Sequence, residues 1–81
     1  MFDKLKQLSQ LKEMEAKMKE EKTTVENNGV KIVINGKFET EEVILNPQLS
    51  IEEQQRIIKD SLNEAVRKIQ MSMAQKFSGL F

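Results

Sequence analysis

The residues of this 81-residue chain with the most distinctive chemistry are cationic side chains near its two ends. The candidates are Lys4, Lys6, Lys12, Arg67, Lys68 and Lys76. Residues 65–81 carry no acidic side chain, whereas residues 23–50 carry four glutamates against two lysines. Such groups displace counterions from phosphates, which gives salt-sensitive, sequence-independent binding. Basic residues also suit a helix C-terminus, so charge alone slightly favours plain solvation of helix ends.

The composition excludes most other kinds of chemistry. There is no cysteine and no histidine, which removes disulfides, zinc–thiolate centres and imidazole ligands. The carboxylates are scattered over predicted helix surfaces and the run Glu39–Glu42, and the sequence has no phosphate-binding glycine loop or nucleophile elbow. We therefore predict a protein that is not an enzyme and has no metal, cofactor or small-molecule substrate.

The sequence shows no obvious surface for reading bases. No predicted helix carries a visible cluster of arginine, asparagine and glutamine, and no ladder of aromatic residues offers stacking. If the chain contacts a nucleic acid, we expect it to recognise duplex geometry more than base sequence.

Charge and hydropathy also predict where the protein works. The segment Met1–Lys6 becomes charged at once, and no apolar run approaches the roughly 18 residues of a membrane span. The 13 basic and 13 acidic residues cancel, so net charge decides nothing about a polyanionic partner. We predict a cytoplasmic protein with no membrane partner.

Two helices are predicted on either side of a central β segment. Residues 1–22 form the first, because apolar residues recur every three or four positions in a narrow stripe. That stripe consists of Leu5, Leu8, Leu11, Met14 and Met18. Residues 50–78 form the second helix, which begins at a capping box of Ser50 and Glu53. Its stripe consists of Ile51, Ile58, Leu62, Ala65, Ile69, Met73 and Phe77, widened by Ile57 and Val66.

Residues 23–47 are predicted to form a three-stranded antiparallel sheet. A turn at Asn27–Gly29 leads into the strand that begins at Val30, where apolar residues alternate. Asn35 and Gly36 are the residue pair that a type I′ turn prefers. The next strand ends at Pro47, and a bulge near Glu41 and Glu42 would shift its register.

Both faces of this sheet carry apolar side chains, which predicts a homodimer. A chain of this size has a thin core and no disulfide or metal to support it, so a second copy is the expected source of stability. The predicted interface residues are Val30, Ile32, Val33, Ile34, Phe38 and Ile44. If the two helices leave the sheet together as an antiparallel pair, their basic ends meet at one tip, far from an acidic middle.

The order of these features resembles the YbaB/EbfC family of small bacterial nucleoid-associated proteins. The similar segments are the Met/Leu-rich first helix, the run Val30–Gly36 and the run Val43–Pro47. In the second helix, Ser61–Ala65 followed by Arg67 and Lys68 is similar to the family's N-[DE]-A segment with trailing basic residues. The resemblance covers almost the whole chain.

The resemblance implies an α+β homodimer with protruding helical arms that binds double-stranded DNA in the bacterial nucleoid. It also implies a role in nucleoid organisation and gene regulation, and it makes the six basic residues the expected phosphate contacts. A helical-arm, chaperone-like module is the alternative. In that case Leu5, Leu8, Met71, Met73 and Phe77 hold apolar polypeptide.

Overall fold

A computed structural model describes residues 2–76 of the chain, with side chains from residue 4 onward. The chain has one helix before and one helix after a three-stranded antiparallel sheet in which β2 is the central strand. This order confirms the predicted α+β class. Residues 77 and 78 of the predicted second helix, including Phe77, lie outside the described residues. The elements are α1 (Phe2–Glu20), β1 (Lys22–Asn27), β2 (Val30–Asn35), β3 (Thr40–Ile44) and α2 (Ile51–Lys76).

The core lies between α2 and one face of the sheet. The fully buried residues of α2 recur every fourth position, so they form one row along the helix. This buried row is Ile57, Ser61, Ala65, Ile69 and Met73. It packs on Val25 of β1 and on Ile32 and Ile34 of β2. Because α2 lies mainly over β1 and β2, it leaves β3 largely uncovered.

The turn between β1 and β2 has the geometry expected of an Asn-Gly pair. Asn28 and Gly29 have φ angles of 51° and 82°, and the flanking residues Asn27 and Val30 are paired in the ladder. Positive φ at both central positions is the signature of a type I′ turn. A two-residue hairpin therefore forms at Asn28–Gly29.

The prediction of a type I′ turn at Asn35–Gly36, between β2 and β3, is wrong. The Phe38 N–H donates to the Asn35 carbonyl at 2.9 Å, and the positive φ of 62° falls on Phe38. The Asn35 side-chain oxygen accepts from the backbone N–H groups of Lys37 and Glu39. The asparagine therefore organises a longer loop by side-chain bonds, and β3 starts only at Thr40.

The third strand contains a bulge at the place where the sequence allowed for one. Val33 is opposite Glu42, whereas the next residue of β2, Ile34, is opposite Thr40. Glu41 is therefore the extra residue in β3. Beyond the bulge, Val43 pairs with Ile32 and shares its α2-covered face, while Ile44 pairs with Lys31 on the opposite face.

The start of α2 is held by two polar side chains. The Ser50 hydroxyl accepts from the Glu53 N–H at 3.1 Å, which confirms the predicted N-cap. The backbone N–H of Asn46 donates to the side-chain oxygen of Gln54 at 2.7 Å. The side-chain nitrogen of Asn46 donates to the Asn28 carbonyl at 2.8 Å. Asn46 thus joins the first residues of α2 to the β1–β2 turn.

Helix α1 is attached to the sheet near its C-terminal end. The Gly36 N–H donates to the carbonyls of both Met18 and Glu21, each at 2.9 Å. A Cβ atom on Gly36 would collide with the Met18 carbonyl oxygen and lie 2.7 Å from the Met73 sulfur. Glycine is therefore required here for close packing of α1, β2 and α2.

The predicted apolar stripe of α1 does not form one face. Successive steps of three residues rotate backward by about 60° on a helix with 3.6 residues per turn, so Met14 lies on the opposite side from Leu5. Only Met14 and Met18 are partly buried, and Leu5, Leu8 and Leu11 are exposed. The N-terminal two-thirds of α1 is therefore a projecting arm.

Replacing Gly36 with alanine is expected to loosen the attachment of α1. The added Cβ has no space beside a backbone carbonyl, so we expect the free energy of unfolding to fall by about 1–3 kcal/mol. Hydrogen exchange should show protection lost first in α1. The exposed loop substitution Gln48→Ala is the control, and equal stabilities of the two variants would contradict the proposed role of Gly36.

A second prediction concerns the contact between β1 and the buried row. The Asn27 amide nitrogen donates to the Ser61 hydroxyl at 2.9 Å and to the Glu64 carboxylate at 3.3 Å. Asn27→Ala leaves the buried hydroxyl without this donor and is expected to cost about 1–3 kcal/mol in chemical denaturation. Adding Ser61→Ala should restore part of the loss, and full additivity of the two substitutions would argue against the contact.

The same contact affects the acid stability of the protein. The hydrogen bond from Asn27 is the main cause that lowers the pKa of Glu64, with a smaller contribution from Lys68. A lowered folded-state pKa stabilises the protein above the unfolded-state pKa, and this contribution is lost as pH falls through the folded-state pKa. The destabilisation by Asn27→Ala should therefore be larger at neutral pH than in strong acid.

Candidate nucleic-acid interface

The N-terminal candidates lie on the projecting arm of α1. Lys4, Lys6 and Lys12 are all exposed, and no salt bridge among residues 4–76 includes any of them. The molecule measures 58 × 20 × 15 Å, and this elongation is consistent with an arm that stands clear of the sheet. The three ammonium groups are thus open to an anionic partner.

The C-terminal candidates on α2 are in three different situations. Arg67 is exposed and takes part in no salt bridge within residues 4–76. Lys68 lies 3.5 Å from the carboxylate of Glu64, one helical turn away. The Lys76 ammonium donates to both carboxylate oxygens of Glu21 at 2.8 Å. A phosphate at Lys68 or Lys76 would have to replace an existing ion pair.

The prediction that the basic helix ends meet at one tip is wrong for the described part of the chain. Lys76 lies beside Glu21, at the sheet end of α1, and Lys4 is seventeen positions earlier, about 25 Å along the helix axis. Most of α2 packs on the sheet, and Met73, three residues before Lys76, still lies beside Gly36 at the end of β2. The cations therefore form two separate groups.

The acidic middle of the sequence is partly neutralised in the fold. The ammonium of Lys22 lies 3.1 Å from the carboxylate of Glu41, and that of Lys31 lies 3.7 Å from the carboxylate of Glu42. The hydrogen bond from Lys22 is the largest cause that lowers the pKa of Glu41. These contacts mark the sheet as a region of paired charges.

Four of the six predicted interface residues are buried inside the chain itself. Val30 and Ile32 are completely buried, and Val33 and Ile34 are nearly so. Ile32 and Ile34 contribute to the core under α2, so their side chains offer no area to a second copy. The two remaining predicted residues, Phe38 and Ile44, are about half exposed, at 52% and 45%.

A different apolar surface remains open between α2 and β3. We call it the α2–β3 groove, and it consists of Val43, Leu45, Ile58, Leu62 and Val66. The helix residues recur every fourth position beside the buried row and are only half-buried, while the two β3-side residues are 48% and 52% exposed. The sequence pattern placed Ile58, Leu62 and Val66 in the same stripe as the buried row. On a helical projection these three residues lie to one side of that row.

The described residues contain few features of other kinds of site. Residues 4–76 hold no cluster of three acidic side chains arranged to bind a metal, and neither helix, as far as it is described, is long and apolar enough to cross a membrane. A cavity of about 250 Å³ lies where α1, Gly36 and α2 meet, and Met18, Phe38 and Met73 line it. Its lining residues are uncharged, so it offers no acid, base or ion.

Comparison with known proteins assigns the chain to a family. The YbaB/EbfC DNA-binding family matches residues 1–81, and the chain therefore belongs to that family. A nucleoid-associated protein of Dictyoglomus thermophilum (strain ATCC 35947 / DSM 3960 / H-6-12) is 34% identical over 98% of this chain and 86% of the relative. No solved structure is significantly similar to the chain. These findings support a DNA-binding, nucleoid-associated protein.

Proposed function

We propose that this protein binds double-stranded DNA as a homodimer, mainly through phosphate contacts, in the cytoplasmic nucleoid. Nucleoid organisation and gene regulation would follow from that binding, and no catalytic step is involved. The observation that carries the proposal is the exposed, unpaired cations on the projecting α1 arm. Three lysines on one solvated helix match the sequence-independent, salt-sensitive mode of DNA binding.

The six candidate cations differ in whether a carboxylate already neutralises them. Lys4, Lys6, Lys12 and Arg67 are free to contact phosphate, whereas Lys68 and Lys76 must first leave Glu64 and Glu21. That exchange costs little, because exposed salt bridges contribute at most about 1 kcal/mol. All six remain in the proposed surface, with the four free cations expected to dominate.

A salt-graded titration with a duplex tests this proposal. The triple variant Lys4→Gln, Lys6→Gln, Lys12→Gln should weaken binding at least tenfold and flatten the salt dependence, because each lost phosphate contact removes about 0.9 from the slope. The matched control carries Lys22→Gln, Lys31→Gln and Lys37→Gln, which remove three lysines that already have carboxylate partners. Absence of wild-type binding to any duplex at low salt would refute the proposal.

The homodimer is proposed to form through the α2–β3 groove. The groove joins half-buried helix residues to the exposed side of an edge strand, and a second copy covers both at once. The opposite sheet face is less suitable, because there Ile44 lies next to the ion pair of Lys31 and Glu42. Burial of this groove supplies apolar area that the thin core of one chain lacks.

Neighbouring residues of β3 distinguish the two faces. Val43→Glu should turn the dimer into a monomer in solution, because it places a charge in the α2–β3 groove. Ile44→Glu lies on the other face of the same strand and should leave the dimer intact. Sedimentation or light scattering gives the mass, and circular dichroism confirms folding. Dissociation by Ile44→Glu alone would assign the interface to the other face.

Binding of apolar polypeptide is the second candidate function. Leu5, Leu8 and Leu11 are 66%, 55% and 51% exposed, and Met71 on α2 is 66% exposed. The three leucines span about a third of the circumference of α1, the width of an ordinary apolar stripe, but extend only about 9 Å along its axis, so they offer a short surface to an apolar client. Salt-independent suppression of client aggregation would favour this function over DNA binding.

A further inference from the structure

The solvent-facing side of α2 carries a line of polar side chains that the cation count alone does not reveal. Because a helix turns about 100° per residue, positions separated by three or four residues fall on one side. The line lies opposite the buried row, and all its members are exposed. We call it the outer ridge of α2: Arg56, Lys59, Asn63, Arg67 and Gln70.

The cations of the outer ridge form no salt bridge with the described residues. No salt bridge within residues 4–76 includes Arg56, Lys59 or Arg67. Acidic groups lie beside the ridge, with Asp60 one turn after Arg56 and Glu52 one turn before it. Glu64 lies one turn before Arg67, which helps to lower the pKa of that carboxyl. The ridge is thus a row of cations without salt bridges, with single acidic side chains beside it along its length.

The spacing of the ridge suits the major groove of a duplex. Lys59 and Arg67 are eight residues apart, or about 12 Å along the axis, with Asn63 midway between them. The major groove is also about 12 Å wide and admits an α-helix. Cations at both ends can therefore contact phosphates, while the central amide faces base edges. Asparagine and glutamine amides can pair with adenine in this groove.

We propose that the outer ridge of α2 enters the major groove of DNA, with Arg56, Lys59 and Arg67 on phosphates, Asn63 facing bases, and Gln70, one turn beyond Arg67, at the phosphate edge. This inference rests on the proposed DNA binding and specifies where and how it occurs. It adds two cations and two amides to the surface predicted from sequence, which includes only Arg67 of the ridge. It also replaces the expectation that no helix carries a cluster of arginine, asparagine and glutamine, because these side chains share a face only once the helix is formed.

The fold leaves the ridge accessible. The buried row of α2 faces the sheet, and the groove residues Ile58, Leu62 and Val66 lie on a flank between the row and the ridge. Helix α1 is attached at Gly36 and Met18, beside Gln70 at the C-terminal end of the ridge, and the ridge residues from Arg56 to Arg67 stay exposed. Dimerisation through the α2–β3 groove therefore leaves the ridge of each copy exposed.

Paired substitutions test the phosphate contacts. Arg56→Gln with Lys59→Gln should weaken duplex binding at least tenfold and lower the salt slope by nearly two, since each phosphate contributes about 0.9. The matched control is Lys22→Gln with Lys31→Gln, which removes the same charge from the ion-paired sheet. A loss no greater than that of the control overturns the proposal, whether or not the lysines of the α1 arm are needed.

The two proposals fail in different ways. If wild-type protein binds no duplex, the proposed function fails and the ridge fails with it. If wild type binds and the triple α1 variant loses binding while the Arg56 and Lys59 pair retains it, only the ridge proposal fails. Circular dichroism of each variant establishes that the fold is intact before binding is compared.

A gain of affinity provides an independent test. Asp60→Asn removes one of the acidic groups beside the ridge and should tighten binding about two- to fivefold at low salt, because one repulsive charge near the phosphates is lost. Glu26→Gln removes an equal charge from an exposed position on the opposite face of the sheet and should change affinity less. Equal effects of the two substitutions would show that overall charge, and not the ridge, governs binding, and would overturn the proposal.

The base-facing role of Asn63 has its own readout. Asn63→Ala should leave the salt slope unchanged, because it removes no phosphate contact, and should reduce the difference in affinity between A·T-rich and G·C-rich duplexes. An unchanged difference between those duplexes would exclude base readout by this residue and overturn that part of the proposal.

Discussion

The arrangement of the molecule depends on the close contact at Gly36. One backbone N–H of the β2–β3 turn donates to two carbonyls at the end of α1, and the Met73 sulfur of α2 closes the site from the other side. No side chain fits between them. Because α1 meets the sheet here and its earlier leucines are exposed, this contact sets the direction in which the α1 arm and its lysines leave the sheet.

Helix α2 has three different surfaces around its axis. Its buried row completes the core with Ile32 and Ile34, and the Asn27–Ser61 hydrogen bond fixes the register of that packing. The adjoining flank of Ile58, Leu62 and Val66 is only half covered, and it forms the apolar groove proposed for a second copy. The remaining side carries the outer ridge. The buried row and the flank both follow a fourfold spacing and run parallel, whereas the outer ridge, spaced by three and four residues, approaches the row towards Met73.

The surface charges separate into paired and free groups, and this division matters more than their number. Lysines of the sheet are neutralised by Glu41 and Glu42, and Lys76 by Glu21. The cations without a salt bridge among the described residues all lie on the helices: Lys4, Lys6 and Lys12 on the α1 arm, Lys17 and Lys19 near its sheet end, and Arg56, Lys59 and Arg67 on the outer ridge. A chain with zero net charge thereby keeps unpaired cations on its helices, at the short range over which physiological salt leaves contact with phosphate effective.

Local patterns in the sequence determined the elements themselves. Alternation at Val30–Ile34, the Ser50 cap and the bulge near Glu41 depend on neighbouring residues, so they were predictable, as was the family. Other features depend on contacts distant in sequence. Gly36 is required because Met18 and Met73 lie against it. Val30 and Ile32 are buried because α2 packs over the sheet. Lys76 is paired because Glu21 lies beside it. Only tertiary structure decides which apolar and cationic side chains remain exposed, because packing of remote segments removes the others from solvent.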